Sequence, residues 1–189
     1  MSQARPLQRP PDGPHAAQHG LTLPELLISL SIVSTLIVSA VGHINALIQQ
    51  NRMTTEVNRF VAALQLARSE AVKHGRRVVL CPSRDAFNCG TGSDWSRGWL
   101  LFASDDREHD PDEPLLHAGI PLAAGIAMHS GNRRKRIVYQ PDGSSGGTNS
   151  SFTFCDTRRQ ASPRVICLAN TGRPRLAHRR CDGTVISCP

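Results

Sequence analysis

Lysine is scarce in this sequence, and aromatic side chains are few. Lys73 and Lys135 are the only lysines among 22 basic residues, and aromatic residues make up 4% of the chain. Few aromatic rings argue against a site that holds its ligand mainly by stacking. The guanidinium groups of the arginines pair bidentately with phosphates, so the composition favours a polyanionic ligand. A solvated surface, or the arginine bias of a GC-rich genome, would produce the same composition.

Motifs for catalysis and metal binding are also absent. The histidines include no HExxH pattern, the cysteines include no Cys-x-x-Cys pair, and no Ser/His/Asp set can be assembled. The acidic segment SDDREHDPDEP, residues 104–114, lacks the spacing and the glycine of a calcium loop, and we interpret it as a solvated loop. We therefore expect a protein that is not an enzyme, with no metal site and no cofactor.

Basic charge is concentrated toward the C-terminus. Residues 133–180 contain eleven basic and two acidic residues, whereas residues 21–132 contain nine basic and eleven acidic ones. The stretch LANTGRPRLAHRRC, residues 168–181, holds four arginines and a histidine with no carboxylate. This stretch is the first candidate for binding a polyanion.

The N-terminal fifty residues have two parts. Residues 1–20 are polar and proline-rich, contain Arg5 and Arg9, and lack the apolar core of a secretory signal peptide. Residues 26–51 carry no formal charge and are long enough to cross a bilayer core of about 30 Å. We predict a membrane-spanning helix over residues 21–50, with the basic leader on the cytoplasmic side. Glu25 is exceptional there, since a carboxylate in such a helix needs a partner or lies at the interface, where it complements the helix dipole.

The rest of the chain predicts an amphipathic helix over residues 51–75 and a β domain over residues 76–189. Gly75 marks the predicted end of this helix. Within residues 51–75, apolar residues recur at helical spacing: Val57, Phe60, Val61, Leu64, Ala67, Ala71 and Val72. Eight short apolar or alternating runs follow and predict strands: RVVLC, WLLFA, PLLHA, GIAMH, RIVYQ, SFTFC, RVICL and RLAHR. The predicted fold class is α+β, with one long helix packed on an antiparallel β-sheet domain.

Six cysteines form an even set in a domain predicted to lie beyond the inner membrane, where disulfides can form. We favour pairing Cys81 with Cys89, Cys167 with Cys181 and Cys155 with Cys188. Pairing Cys155 with Cys167 and Cys181 with Cys188 remains open.

Several of these residues carry a family resemblance. GLTLPELL, residues 20–27, resembles the class III signal of type IV pilins and pseudopilins. The resemblance implies cleavage after Gly20 by the prepilin peptidase, methylation at Leu21, and pairing of Glu25 with the terminal amine of a neighbouring subunit. It also implies an inner-membrane protein with a periplasmic domain, which joins major and minor pilins in a cell-surface pilus.

Later segments narrow the resemblance to the FimT/GspH branch of the minor pilins, and most of all to FimT. They are FVAALQLARSEAVKHGRRVVLCPS, WSRGWLLF, FTFCD and NTGRPR. TGRPR resembles the Gly-Arg-x-Arg motif of FimT-type minor pilins, which is implicated in DNA binding during natural transformation, with Gly172, Arg173 and Arg175 in the motif positions. A GspH-like pseudopilin of type II secretion shares the same plan, and a purely structural initiator of pilus assembly is a third alternative.

The arginine motif also has a physical rationale. Gly172 permits a sharp turn, and Pro174 keeps Arg173 extended. Residues two apart in an extended segment face one side, about 6.6 Å from each other, so Arg173 and Arg175 are predicted to form a cationic fork for DNA of any sequence. Six further cations extend the basic surface of Arg173 and Arg175 if the fold brings them onto the same face: Arg179, Arg180, Arg133, Arg134, Lys135 and Arg136.

The leader leads to the first testable prediction. We expect the mature chain to begin at Leu21, because the bond after Gly20 separates a charged leader from an apolar helix. N-terminal sequencing of the membrane-extracted protein measures this. A mature chain that begins at any other residue would contradict the prediction.

Overall fold

The computed structural model describes residues 20–104, 115–131 and 134–188, and the side chains of residues 39–43 lie outside this description. The predicted leader up to residue 19, the acidic segment from residue 105 and Arg133 are outside the described residues. The chain divides into two compact units, Met1–Val41 and Gly42–Pro189.

One helix, α1 (Leu23–His74), begins in the first unit and ends in the second. Near its start, serine hydroxyls donate to carbonyls in the preceding turn, as from Ser29 Oγ to Glu25 O at 2.8 Å and from Ser31 Oγ to Ile28 O at 2.7 Å. Within the part of the chain that the structure describes, no helix is both long and apolar enough to cross a membrane. The membrane span over residues 21–50 therefore stays a prediction.

The second half of α1 buries one face against the β domain. Its buried residues recur at helical spacing: Met53, Val57, Phe60, Ala63, Leu64, Ala67 and Ala71. Val72 was predicted on this face but is 53% exposed, because it lies at the edge of the buried stripe and borders a groove. The helix ends at His74, and the next residue, Gly75, has a φ of +61°, as expected for a helix stop.

Within the described residues, eight strands follow the helix, and each coincides with a predicted run. They are β1 (Val78–Pro82), β2 (Trp99–Ala103), β3 (Leu115–Gly119), β4 (Ile126–Ser130), β5 (Ile137–Tyr139), β6 (Ser150–Asp156), β7 (Arg164–Leu168) and β8 (Pro174–Ala177). They form two antiparallel sheets, a first sheet of order β3-β2-β1-β5 and a second sheet of order β4-β6-β7-β8. The α+β fold class is thus confirmed.

An aromatic cluster joins α1 to both sheets. The Phe60 ring lies 5.2 Å from Trp99 of the first sheet, and 4.7 Å from Phe152 and 6.0 Å from Phe154 of the second sheet, between ring centroids. Trp95 completes the cluster at 5.8 Å from Phe60. Such tilted and edge-to-face contacts add to the free energy gained by burying the rings.

All six cysteines form disulfides, in the pairing that the sequence analysis favoured: Cys81 with Cys89, Cys155 with Cys188 and Cys167 with Cys181. The third bond closes a loop with a sequence separation of 14 that contains β8 and its arginines. In the chain-entropy model, a loop of this size stabilises the folded state by about 3 kcal/mol.

A buried carboxylate ties the helix to the second sheet. Asp156 Oδ1 accepts hydrogen bonds from Gln49 Nε2 at 3.1 Å and from the Arg158 backbone N–H at 3.0 Å. Its Oδ2 accepts from the N–H groups of Gln160 and Ala161, both at 2.8 Å. Burial alone would raise the pKa of Asp156, but these hydrogen bonds outweigh burial and lower it.

Asp156→Asn should destabilise the domain by about 1–3 kcal/mol at pH 7, since its amide nitrogen cannot accept these bonds. Because the folded-state pKa of Asp156 lies below its unfolded value, its contribution is present above about pH 4 and is lost as the pH falls through the folded pKa. The variant should therefore lose less stability than wild type between pH 6 and pH 3.

Urea unfolding of residues 42–189 at both pH values measures this effect. Asp182→Asn removes an exposed carboxylate that accepts hydrogen bonds from the nearby Thr184, so it serves as the comparison and should reduce the acid sensitivity less than Asp156→Asn does. Equal acid sensitivity of wild type and Asp156→Asn would refute the role of Asp156.

Candidate nucleic-acid interface

The link between β7 and β8 is a tight turn, here called the arginine turn (residues 169–173). The Gly172 N–H donates to the Ala169 carbonyl at 2.9 Å, and Gly172 has a φ of +74°. A Cβ at position 172 would lie 2.1 Å from the Gly143 carbonyl oxygen and 3.0 Å from Tyr139 Cε1. Both the backbone angle and the close approach therefore require glycine at this position.

The β5–β6 loop holds the arginine turn in place. Ser145 donates from its N–H to the Asn170 carbonyl and from its Oγ to the Ala169 carbonyl, both at 2.8 Å. On its other side the loop contacts α1, where Arg68 Nε donates to the Gly143 carbonyl at 2.9 Å. The β5–β6 loop thus links the arginine turn to α1, although the three segments are far apart in sequence.

The two arginines of the motif have different surroundings. Arg173 lies in the turn just before β8, whereas Arg175 lies within β8 opposite Cys167. Both side chains are exposed. Strand alternation was expected to place both guanidinium groups on one side, but β8 begins only at Pro174, so Arg173 lies outside the strand. Arg173 instead borders a groove with α1, and Arg175 is not among the described residues that line it.

This groove, of about 690 Å³, runs between α1 and the start of β8. Arg173 and Pro174 form one wall, and the helix contributes Gln65, Arg68, Ser69, Val72 and Lys73. Three cations and no carboxylate are therefore among its described lining residues. Arg68 and Lys73 were not predicted as site residues, although the five helix residues that line the groove have the i, i+3, i+4, i+7, i+8 spacing of one helix face.

Arg179 and Arg180 follow the other end of β8, and the described cations of the NRRKR segment, Arg134, Lys135 and Arg136, precede β5. A Cβ at Gly131 would lie 2.9 Å from Arg180 Nη2, so Arg180 packs against the residue that precedes the NRRKR segment. Ser150 Oγ donates to the Gly131 carbonyl at 3.1 Å, and the Cys181 N–H donates to Ser151 Oγ at 2.7 Å. The chain after β8 therefore contacts Gly131, directly after β4.

Individual cations at this end differ in exposure. Arg179 is exposed, and its Nη1 donates to the Gly183 carbonyl at 3.5 Å. Lys135 is exposed, while Arg134 and Arg136 are half-buried. Lys135 and Arg179 are thus the more accessible members of this group.

Two carboxylates border the basic surface. Hydrogen bonds from Ser144 lower the pKa of Asp142, and hydrogen bonds from Thr184 lower the pKa of Asp182, with a smaller contribution from the charge of Arg180. Both are ionised at neutral pH and limit where a polyanion can lie. The Tyr139 hydroxyl, under the arginine turn, is fully buried, and burial raises its pKa, so it carries no charge.

The residues predicted for processing and assembly lie at the start of α1. Gly20 and Leu21 precede the helix and are exposed. The Thr22 N–H donates to Glu25 Oε2 at 3.5 Å, which resembles half of a capping box. Within the described residues, Glu25 thus caps its own helix.

Solved structures share this fold. The type IV minor pilin FimU of Pseudomonas aeruginosa aligns over 71% of this chain and 96% of its own, with 20% identity and a TM-score of 0.55. The minor pseudopilin EpsH of the Vibrio cholerae Type 2 Secretion System aligns over 67% of this chain and 96% of its own, with 12% identity and a TM-score of 0.50. Among curated proteins there is no significant match.

Family models agree with the fold. Residues 15–41 match the prokaryotic N-terminal methylation motif, and residues 56–172 match the family described as type II transport protein GspH. Fold and motif together define a minor pilin or pseudopilin. Because the second match covers more than half of the sequence, the chain belongs to the GspH family. That match ends at Gly172, so Arg173 and Arg175 lie outside it.

Gly172→Ala should destabilise the domain by about 1–3 kcal/mol, since alanine disfavours a φ of +74° and its Cβ would meet the Gly143 carbonyl. Gly146→Ala is the matched control, because a Cβ there has no neighbour within 4 Å. Thermal unfolding of residues 42–189 measures both variants. Equal melting temperatures for Gly172→Ala and wild type would show that the turn does not need glycine.

Proposed function

We propose that this chain is a minor type IV pilin that binds DNA through the arginine turn and supports both DNA uptake in natural transformation and pilus assembly. The observation that carries the proposal is the fixed position of Arg173, exposed beside two helix cations in a groove whose described lining has no carboxylate. Arg175, Arg179 and Arg180 extend the basic surface along and beyond β8.

Phosphate attraction accounts for such a site without base readout. Each cation that neutralises a phosphate releases counterions, so affinity falls steeply with salt and depends little on sequence. The hydrogen bonds of Ser145 and the disulfide from Cys167 to Cys181 hold the turn in place before binding. Less conformational entropy is then lost when DNA binds.

Export and assembly form the second part of the proposal. Residues 1–20 act as a leader that the prepilin peptidase removes after Gly20, and residues 21–50 form the membrane and filament-core helix. Glu25 then pairs with the methylated amine of Leu21 in a neighbouring pilin. The methylation-motif match over residues 15–41 supports this processing, and three disulfides are typical of a domain in the oxidising periplasm.

The second candidate is a minor pseudopilin of a type II secretion system. Membership of the GspH family and the likeness to EpsH favour it. In that role the same arginines contact carboxylates of a protein partner or are only solvated. A purely structural initiator of pilus assembly would also leave them without a ligand.

Replacing Arg173 and Arg175 together by alanine tests the proposal. If each arginine neutralises one phosphate, the slope of log affinity against log salt for duplex DNA should become shallower by about 1.8. The affinity loss between 50 and 200 mM salt should then be about twelvefold smaller than in wild type. Fluorescence anisotropy with two unrelated duplexes measures this, and both duplexes should respond equally.

Two further double variants serve as controls. Arg84→Ala with Arg97→Ala removes the same charge from exposed positions near the first sheet and should leave the slope almost unchanged. Lysine at positions 173 and 175 keeps the charge without the planar fork and should give intermediate affinity. Wild-type DNA binding and uptake in a folded Arg173→Ala, Arg175→Ala variant would favour the secretion pseudopilin.

A further inference from the structure

The groove between α1 and β8 extends the proposed site onto the helix. We propose that Arg68 and Lys73 bind phosphate groups of the same nucleic-acid strand that Arg173 contacts, so that α1 forms the second wall of the binding site. This inference rests on the proposed function. It assigns a ligand to two helix residues that lie a hundred residues before the arginine motif.

The helix presents these side chains at a suitable spacing. Arg68 and Lys73 are five residues apart, which places them about 7.5 Å apart along the helix axis. They also lie about 140° apart around the axis, at the two edges of the lining stripe, so their side chains can reach different phosphates of one strand. Gln65 and Ser69 lie on the same stripe and supply neutral hydrogen-bond donors between them.

Among the described residues, the cations of the groove form no ion pair with a carboxylate. The nearest carboxylate on the helix, Glu70, lies 3.2 Å from His74 Nε2 and is not among the lining residues. In the described part of the chain, no carboxylate lies within 4.0 Å of Arg68, Lys73 or Arg173. Three converging cations repel one another, and a polyanion in the groove would relieve this repulsion.

The size of the groove suits one sugar–phosphate strand rather than a whole duplex. At about 690 Å³ it is too small for a double helix, but the backbone ridge of one strand can enter it. Val72 and Pro174 supply apolar surface for the sugars, while the three cations supply contacts for the phosphates. This also gives the exposed Val72 side chain a role.

Lys73 has a second physical role that the test must separate. It lies in the last turn of α1, where a cation stabilises the helix by interacting with the negative end of its dipole. That role changes the melting temperature but leaves the salt dependence of DNA binding unchanged. The salt slope is therefore the decisive readout.

Lys73→Met in the full chain, purified in detergent, removes the charge and keeps the length of the side chain. Its binding to a random-sequence duplex is measured between 50 and 200 mM salt. The slope of log affinity against log salt should be shallower than in wild type by about 0.9, so the affinity loss over this range should be about 3.5-fold smaller. Lys73→Arg should behave as wild type. Arg97→Ala removes one exposed charge outside the groove and should keep the wild-type slope.

The outcomes separate this inference from the proposed function. If wild type binds DNA and Arg173→Ala lowers the slope while Lys73→Met does not, the helix wall is not part of the site and the inference is overturned. If wild type does not bind DNA, the proposed function fails as well. A lower melting temperature with an unchanged slope would assign Lys73 to the helix dipole alone and would also overturn the inference.

Discussion

The insertion of the Phe60 ring between the two sheets is the contact on which the rest of the domain depends. It fixes the rotation of α1 about its own axis, because Leu64, Ala67 and Ala71 must then face the same core. Each residue along a helix turns by about 100°, so the residues next to the buried ones face the edge of the second sheet. The basic groove is therefore a consequence of how the core packs.

The arginine turn depends on a second constraint, the close approach of two loops. Gly172 and Gly143 meet at a distance that leaves no room for a Cβ, and Tyr139 lies fully buried beneath them. Arg68 of α1 donates a hydrogen bond to the Gly143 carbonyl at this contact. The helix, the β5–β6 loop and the arginine turn are therefore connected. The backbone of an exposed arginine held in this way loses little freedom when a ligand binds, which suits the proposed binding of DNA of any sequence.

Local patterns predicted much of the fold. Short apolar or alternating runs located all eight described strands, Gly75 marked the end of α1, and the favoured cysteine pairing is the one that the structure contains. The division into two sheets was not predictable, since β1 and β2 are buried on both faces and show no alternation. Arg68, Lys73 and the hydrogen bonds of Ser145 were missed because only long-range packing brings them to the turn.

Amide chemical shifts of the isotope-labelled protein, recorded as a short duplex DNA is added, test most directly whether the arginine turn and α1 form one DNA-binding surface. The largest changes should fall on residues 169–176 and on the stripe from Gln65 to Lys73, with few changes on the first sheet. They should fade as salt is raised. Changes centred on the first sheet, or no changes at low salt, would contradict a DNA-binding surface at the groove.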